Sequence, residues 1–298
     1  MIVSRETMTD ITQCQVCLGT EFEAYSAPKD HTVSKEIFSI LKCGSCGFLF
    51  TSPRPNLNEL GKYYNSEDYI SHSDTSKGLV SKLYKAARKF TLDQKFKLVQ
   101  PYCVEQELLD VGCGTGAFLH YSKRKGINVQ GVEPDSGART FAINNYGLTV
   151  NEEDALDKFK EASFGAITMW HVLEHVPHLD ERLDQLKRIL HEEGRIFVAV
   201  PNPDSFDARF YGEFWAAYDV PRHLWHFTPA TMRKLLSRNG LKLHDILPMK
   251  LDAFYIALLS ERYKHGKTNY LSALFNGFKS NLRAGKEAWS SQIYVIGK

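Results

Sequence analysis

Long hydrophobic runs are missing from this chain. No apolar stretch approaches the roughly 18 residues that a membrane helix needs, so no spanning segment is expected. Met1 to Asp10 is polar and lacks the apolar centre of a signal peptide, which points to the cytoplasm. A dominant charge is missing too: the 298 residues carry a formal net charge of +2, too near balance to push toward nucleic acid or an anionic membrane. Internal repeats and low-complexity tracts are absent. Cysteine is scarce, at six residues, and four of these fall in two pairs, a grouping that favours a metal over a disulfide framework. Against these absences, 43% of the residues are hydrophobic and 24% charged, an ordinary balance that supports one sizeable globular domain and a small second module.

The two pairs are Cys14-Gln15-Val16-Cys17 and Cys43-Gly44-Ser45-Cys46, separated by the 25 residues Leu18 to Lys42. Each Cys-x-x-Cys turn lets two thiolates reach one ion, and two such turns complete a tetrahedral four-cysteine zinc site. Four thiolates leave no open coordination position, so the expected zinc is structural, folding a segment too small for a good core of its own. Phe38, Ile40 and Leu41 alternate with polar residues as short strands would, giving a zinc ribbon. Ribbons often bind nucleic acid, but Lys29, Lys35 and Lys42 are offset by Asp30 and Glu36, so no basic face is evident.

Leu108 to Leu119 carries the strongest signal. An apolar pair runs into Asp110, then Gly112, Gly114 and Gly116 alternate with small residues before a helical pattern resumes. That is a strand, a tight turn and a helix, with backbone free to meet a ligand and unpaired N–H groups at the helix start. Gly112-x-Gly114-x-x-Ala117 satisfies the dinucleotide fingerprint. Asp110, however, would repel a pyrophosphate and attract a ligand bearing an ammonium group. Asp110-Val111-Gly112-Cys113-Gly114-Thr115-Gly116 resembles motif I of the class I S-adenosylmethionine (SAM) dependent methyltransferases, whose glycine turn holds the methionine part of the cofactor.

Later segments agree with that resemblance. Ile127 to Val132 reads as a second strand ending at Glu133, an acid placed for two ribose hydroxyls in both cofactor families. Asp154 and Ala155 fall where the family holds the adenine; the alternative is a charged helix start. Phe164 to Trp170 is an apolar run that empties into His171, Glu174 and His175, at the strand end where ligands lie in open α/β sheets. His171-Val172-Leu173-Glu174-His175-Val176 looks like the corresponding segment of ubiquinone-type O-methyltransferases. There His171 would line the cofactor, and Glu174 and His175 would act as base or bind a divalent ion, or simply support the site.

The segment 210–229 is dense in aromatics and histidines. Its Pro221-Arg222-His223-Leu224-Trp225-His226-Phe227-Thr228-Pro229 phrase is similar to one shared by a broad group of bacterial methyltransferases. His223 is the first candidate for a general base, since imidazole titrates near neutrality. Arg222 would meet an anionic group on the substrate, with Trp215 and Tyr218 beside it; the alternative is aromatic packing with an Arg222–Asp219 pair. Tyr63, Tyr64 and Tyr69, with the basic stretch Lys77 to Phe90, are candidates for a lid. Leu241 to Leu247, Ala253 to Leu259 and Gln292 to Ile296 read as strands, with a basic helix of unclear role near Lys267 to Lys286.

The expected architecture is α/β: a Rossmann-like, seven-stranded, mostly parallel sheet over 101–298, a zinc ribbon over 1–52 and a helical linker or lid over 53–100. The expected activity is methyl transfer from SAM to a small molecule such as a sugar, a lipid-linked intermediate or a quinone-like ring. Two other readings stay open: an RNA methyltransferase reading through the ribbon, and a protein that binds SAM without turnover.

Overall fold

The computed structural model describes residues 8–64 and 79–298. Tyr69 and Lys77 lie outside the described residues, as do the side chains of Lys82 and Lys85.

The N-terminal part holds β1 (Met8–Thr9), β2 (Phe22–Ser26), β3 (Ile40–Cys43), β4 (Leu49–Thr51) and β5 (Arg54–Pro55), followed by the short helix α1 (Leu57–Leu60). A long helix, α2 (Leu79–Val99), leads to β6 (Glu107–Val111). Then strands and helices alternate: α3 (Ala117–Arg124), β7 (Val129–Val132), α4 (Ser136–Tyr146), β8 (Val150–Asn151), α5 (Ala155–Lys158), β9 (Phe164–Trp170), α6 (Leu179–Ile189) and β10 (Leu190–Pro201). The last third contains α7 (Phe206–Tyr211), β11 (Trp225–His226), α8 (Pro229–Arg238), β12 (Lys242–Pro248), α9 (Asp252–His265), α10 (Tyr270–Arg283) and β13 (Ser291–Gly297).

The main sheet has seven strands in the order β12-β13-β10-β9-β6-β7-β8, and β13 alone runs against the others. The chain leaves β6 in one direction through β7 and β8, then returns to β9 on the other side. That reversal opens a crevice at the carboxyl ends of β6 and β9, the place where such sheets bind ligands. Apolar side chains fill both faces, as parallel strands covered by helices require. Leu109, Val111, Ile167 and Met169 belong to one core, and Leu108, Ala166, Phe197 and Ala199 to the other.

Local signals set several element ends. Asp135 caps α4 by accepting from the Ala138 amide, and Thr228 and Thr231 form a reciprocal capping box on α8, which also carries Pro229 in its first turn. The segment 253–259, expected as a strand, is instead part of α9. Ala253, Ile256, Ala257 and Ser260 are buried at helical spacing, so α9 lays one face inward.

The second sheet is not confined to the N-terminal part. Its order is β11-β4-β3-β2, so Trp225 and His226 supply its edge strand from more than 170 residues away. Phe48 packs against Trp225 and Phe227 with ring centroids 5.8 and 5.4 Å apart, sealing the joint. Among the described residues no helix is long and apolar enough to cross a membrane.

Candidate functional site

The glycine turn links β6 to α3, and its three glycines have different duties. All three have positive φ. A Cβ on Gly112 would come within 2.5 Å of Val172, and one on Gly116 within 2.5 Å of Leu148, so these two let the turn pack down. A Cβ on Gly114 would meet nothing within 4 Å. Gly114 is thus the position whose bare backbone faces open space. Its amide donates to Glu133 Oε2 at 2.8 Å, while the Asp135 amide donates to Oε1 at 2.9 Å, so Glu133 is held at the end of β7 against the turn.

Asp110 is 2% exposed and accepts a 2.6 Å hydrogen bond from Thr168 on β9. Burial raises its pKa to about 7, against the pull of Thr168 and Lys95. Lys95, on α2, lies 4.3 Å from the centre of the Trp170 ring and is paired electrostatically with Asp252 and Asp110. Burial lowers its own pKa. Neither Lys95 nor Asp252 stands out in the sequence, because each reaches the crevice from a helix whose pattern looks like ordinary surface. A half-buried cation beside a buried carboxylate and open glycine backbone form a cradle suited to a zwitterionic amino-acid group.

At the end of β9 the chain turns sharply. His171 has φ +58°, its Nε2 lies 3.0 Å from Asp252 Oδ2 and its Nδ1 3.3 Å from Glu174 Oε1. Burial opposes its charge, but Asp252 and Glu174 more than offset it and hold the pKa up at about 9. Glu174 is 1% exposed, and neither of its carboxylate oxygens receives a hydrogen bond from the described residues. Burial works against its ionisation, yet the charged His171 beside it keeps its pKa below the ordinary value.

His175 and His223 stand edge to face, with centroids 4.7 Å apart. His175 Nδ1 is 2.9 Å from both the Arg222 carbonyl and the Tyr64 hydroxyl. Burial, with His223 adding to it, pushes the His175 pKa down to about 4, so the ring is neutral. His223 Nδ1 is 2.9 Å from the Ala217 carbonyl. A carbonyl only accepts, so that nitrogen carries the hydrogen and Nε2 carries the lone pair. This Nε2 lies 3.9 Å from Glu174 Oε1 and 3.9 Å from Asp219 Oδ2. Ligand atoms of Glu174, His175 and His223 all lie within 4.8 Å of one another. The cluster has the groups for proton removal and also for holding a divalent cation.

The residues expected to meet the substrate are packed beneath this cluster. Trp215, Tyr218 and Arg222 are nearly fully buried. Trp215 donates to Asp207 at 2.8 Å, and Tyr218 packs edge-on against Trp215. Arg222 bonds Asp219 at 2.6 and 3.0 Å, Asp30 at 3.1 Å and the Tyr63 carbonyl at 2.8 Å, and also reaches Thr32. This guanidinium joins the N-terminal sheet to the main domain, the Arg222–Asp219 alternative extended by a second acid. Asp154 sits at the start of α5 with a largely exposed side chain paired to Lys158, the charged helix start, and the Ala155 amide donates to the Glu152 carbonyl. Of the lid candidates, Tyr63 donates to Glu36 at 3.0 Å and Tyr64 reaches His175.

Cys14, Cys17, Cys43 and Cys46 come together, with Sγ atoms of Cys14 and Cys46 3.6 Å apart and those of Cys17 and Cys43 3.5 Å apart. A tetrahedral zinc with bonds of about 2.3 Å separates its sulfurs by about 3.8 Å, so the cluster fits that ion. Burial pushes the Cys14 thiol up to about 11, a cost that a divalent cation would remove.

Comparison with known proteins identifies the family. The methyltransferase domain family matches residues 57–246. Ubiquinone biosynthesis O-methyltransferase of Nitrosococcus oceani is 28% identical over 184 residues, covering 56% of this chain and 75% of the relative. The mitochondrial enzyme of that name from Mus musculus is 25% identical over 166 residues, covering 50% of this chain and 44% of the relative. Among solved structures, magnesium protoporphyrin IX methyltransferase from Synechocystis PCC 6803, with bound SAH, has the same fold at a TM-score of 0.53 and 13% identity, covering 82% of this chain and 100% of that one. A geranyl diphosphate methyltransferase in complex with SAM aligns at a TM-score of 0.51 and 17% identity, covering 77% and 93%.

Proposed function

The chain belongs to the methyltransferase domain family and is a SAM-dependent methyltransferase, and from that premise we propose that it methylates a hydroxyl of a small-molecule acceptor at the crevice between β6 and β9. The observation that carries this reading is Glu174, a buried carboxylate 3.3 Å from His171 that faces two further imidazoles, His175 and His223, at the strand end.

Asp110, Gly114 and Glu133 would hold the cofactor, with Lys95 and His171 at its edge. The bound cofactor supplies a methyl group already activated by its sulfonium. What remains for the protein is alignment of the acceptor and removal of its proton. His223 takes that proton on Nε2, the nitrogen its Ala217 bond leaves free, and Glu174 and Asp219 stabilise the imidazolium. His175, kept neutral, orients His223 through ring contact. Arg222, Trp215 and Tyr218 act as positioning residues that fix the loop bearing His223. The four cysteines hold one structural zinc.

The cluster of Glu174, His175 and His223 also supports a second reading, in which it binds a divalent ion that orients the acceptor oxygen. Incubation with methyl-labelled SAM and fractionated host extract, with Gly114→Val as the blank, tests the main reading. Label in a small-molecule or glycan fraction supports it; label only in RNA overturns it. Repeating the assay on zinc-loaded protein freed of Mg2+, with and without added Mg2+, separates proton removal from metal orientation.

A further inference from the structure

Helix α10 is built inside out. Ala273, Asn276, Gly277 and Ser280 face the protein, while Leu271, Leu274, Phe275, Phe278 and Leu282 face solvent at 56–81% exposure. The exposed set follows the i, i+3, i+4, i+7, i+11 spacing of one helical face. An amphipathic helix on a soluble protein normally turns that face inward.

The orientation is fixed by hydrogen bonds. Ser280 donates to Asp207 at 2.6 Å, Asn276 to the Tyr211 hydroxyl at 3.3 Å and Ser272 to Glu261 at 2.5 Å. Gly277 lies so close to α9 that a Cβ there would stand 2.6 Å from Phe254. Turning the helix over would take one hydrogen bond from each of two buried acids, Ser280 from Asp207 and Ser272 from Glu261, and would leave Asn276 without the Tyr211 hydroxyl. The apolar face is therefore held outward.

Charge decides what covers it. From Arg262 to Lys286 the chain carries six Lys and Arg residues and no Asp or Glu. Lys279 lies over Phe275 and Phe206, and Lys264 over Phe210, so the cations rim the apolar surface and extend it to the stacked rings of α7. Two copies meeting through this face would set those cations against each other without an acid in the segment to pair them. An anionic bilayer surface pairs the cations that rim the face, Lys264, Lys279 and Arg283 among them.

We propose that the outer face of α10, with Phe206 and Phe210 of α7, docks the protein on the surface of a bilayer containing anionic lipid. A helix of 14 residues is about 21 Å long, too short to span the roughly 30 Å hydrocarbon layer, so it lies in the interface. The site is close: α9, which packs on α10, begins at Asp252, the partner of His171. Docking sets the crevice within about one helix length of the lipid surface, where a lipophilic acceptor would be concentrated. The surface property stands whatever the acceptor proves to be.

The test is flotation of the full chain with vesicles of equal parts phosphatidylglycerol and phosphatidylcholine, and with phosphatidylcholine alone. The wild type should float with the anionic vesicles, be released by high salt and ignore the neutral ones. The triple substitution Leu274→Ser, Phe275→Ser, Phe278→Ser should lower the bound fraction at least about tenfold with SAM affinity unchanged. If that variant fails to fold, Lys264→Glu with Lys267→Glu and Lys279→Glu should give the same loss. Wild type that ignores anionic vesicles, or folded variants that bind as well as wild type, would overturn the proposal. So would sedimentation showing a wild-type dimer that the serine variant splits, since a second copy would then own the face.

Discussion

Glu174 concentrates the chemistry of this protein at one residue. Its carboxylate is buried beside His171, His175 and His223, and its lowered pKa means that the ionised form is favoured by the fold. Glu174→Gln should lower turnover on the order of 100-fold or more and also lower the melting temperature, because the charged His171 loses its 3.3 Å partner. Full turnover in this variant would remove Glu174 from the chemistry. His223→Ala should lower turnover similarly with SAM affinity intact by calorimetry. Asp110 gives the pH dependence. Its folded pKa of about 7 lies above the usual 3.8, so its neutral form stabilises the ligand-free protein at low pH, and that contribution is lost as pH rises through about 7. Attraction of an ammonium group runs the opposite way, since only the carboxylate attracts it. SAM affinity should therefore rise with pH through about 7 in the wild type and be weak and flat in Asp110→Asn. The sequence showed these acids and histidines as candidates. It did not show which imidazole nitrogen was free, because that depends on the Ala217 carbonyl folding back on His223.

At the scale of elements, the β6–α3 turn was legible because its demand is local: positive φ at fixed positions selects glycine. The division of labour within it was not. Gly116→Ala should lower stability by at least 1–2 kcal/mol, as roughly expected for a left-handed alanine, and more through collision with Leu148. Gly114→Ala bears the same φ strain without the collision, and should impair SAM binding more than folding. Thermal melts and calorimetry on the two variants separate these effects; equal losses in both would refute the assignment. Helix α9 was misread as a strand because a short apolar run looks alike in either state. The clue was present, however, in Ala253, Ile256, Ala257 and Ser260 at helical spacing. Helix α10 was recognised as basic and helical, but its apolar stripe gave no indication of direction. Buried Asp207 and Glu261, distant in sequence, decide which face points out.

Across the whole molecule, the N-terminal module and the catalytic domain are joined through β11, which completes the ribbon sheet, and through Arg222, whose guanidinium reaches Asp30 across 192 positions of sequence. His223 lies between these two anchors. We expect about one zinc per chain, and its removal by chelator should abolish turnover as well as ribbon structure, with a single melting transition for the metal-bound protein. A chelated protein that keeps full activity would show the two parts to be independent. Arg222→Leu, which leaves Asp30 buried without its cation, should cost about 3–5 kcal/mol. The sequence by itself determined the α/β alternation, the cofactor turn and the paired cysteines, since apolar strand runs, glycine conformation and Cys-x-x-Cys spacing are short-range properties of the chain. The seven-strand count followed from the resemblance to class I methyltransferases. Only the tertiary structure decided that Arg222, Trp215 and Tyr218 are buried, that Lys95 and Asp252 stand beside Asp110 and His171, and that α10 turns its apolar face outward. Those outcomes depend on which distant polar group each side chain meets, and no local period in a sequence carries that information.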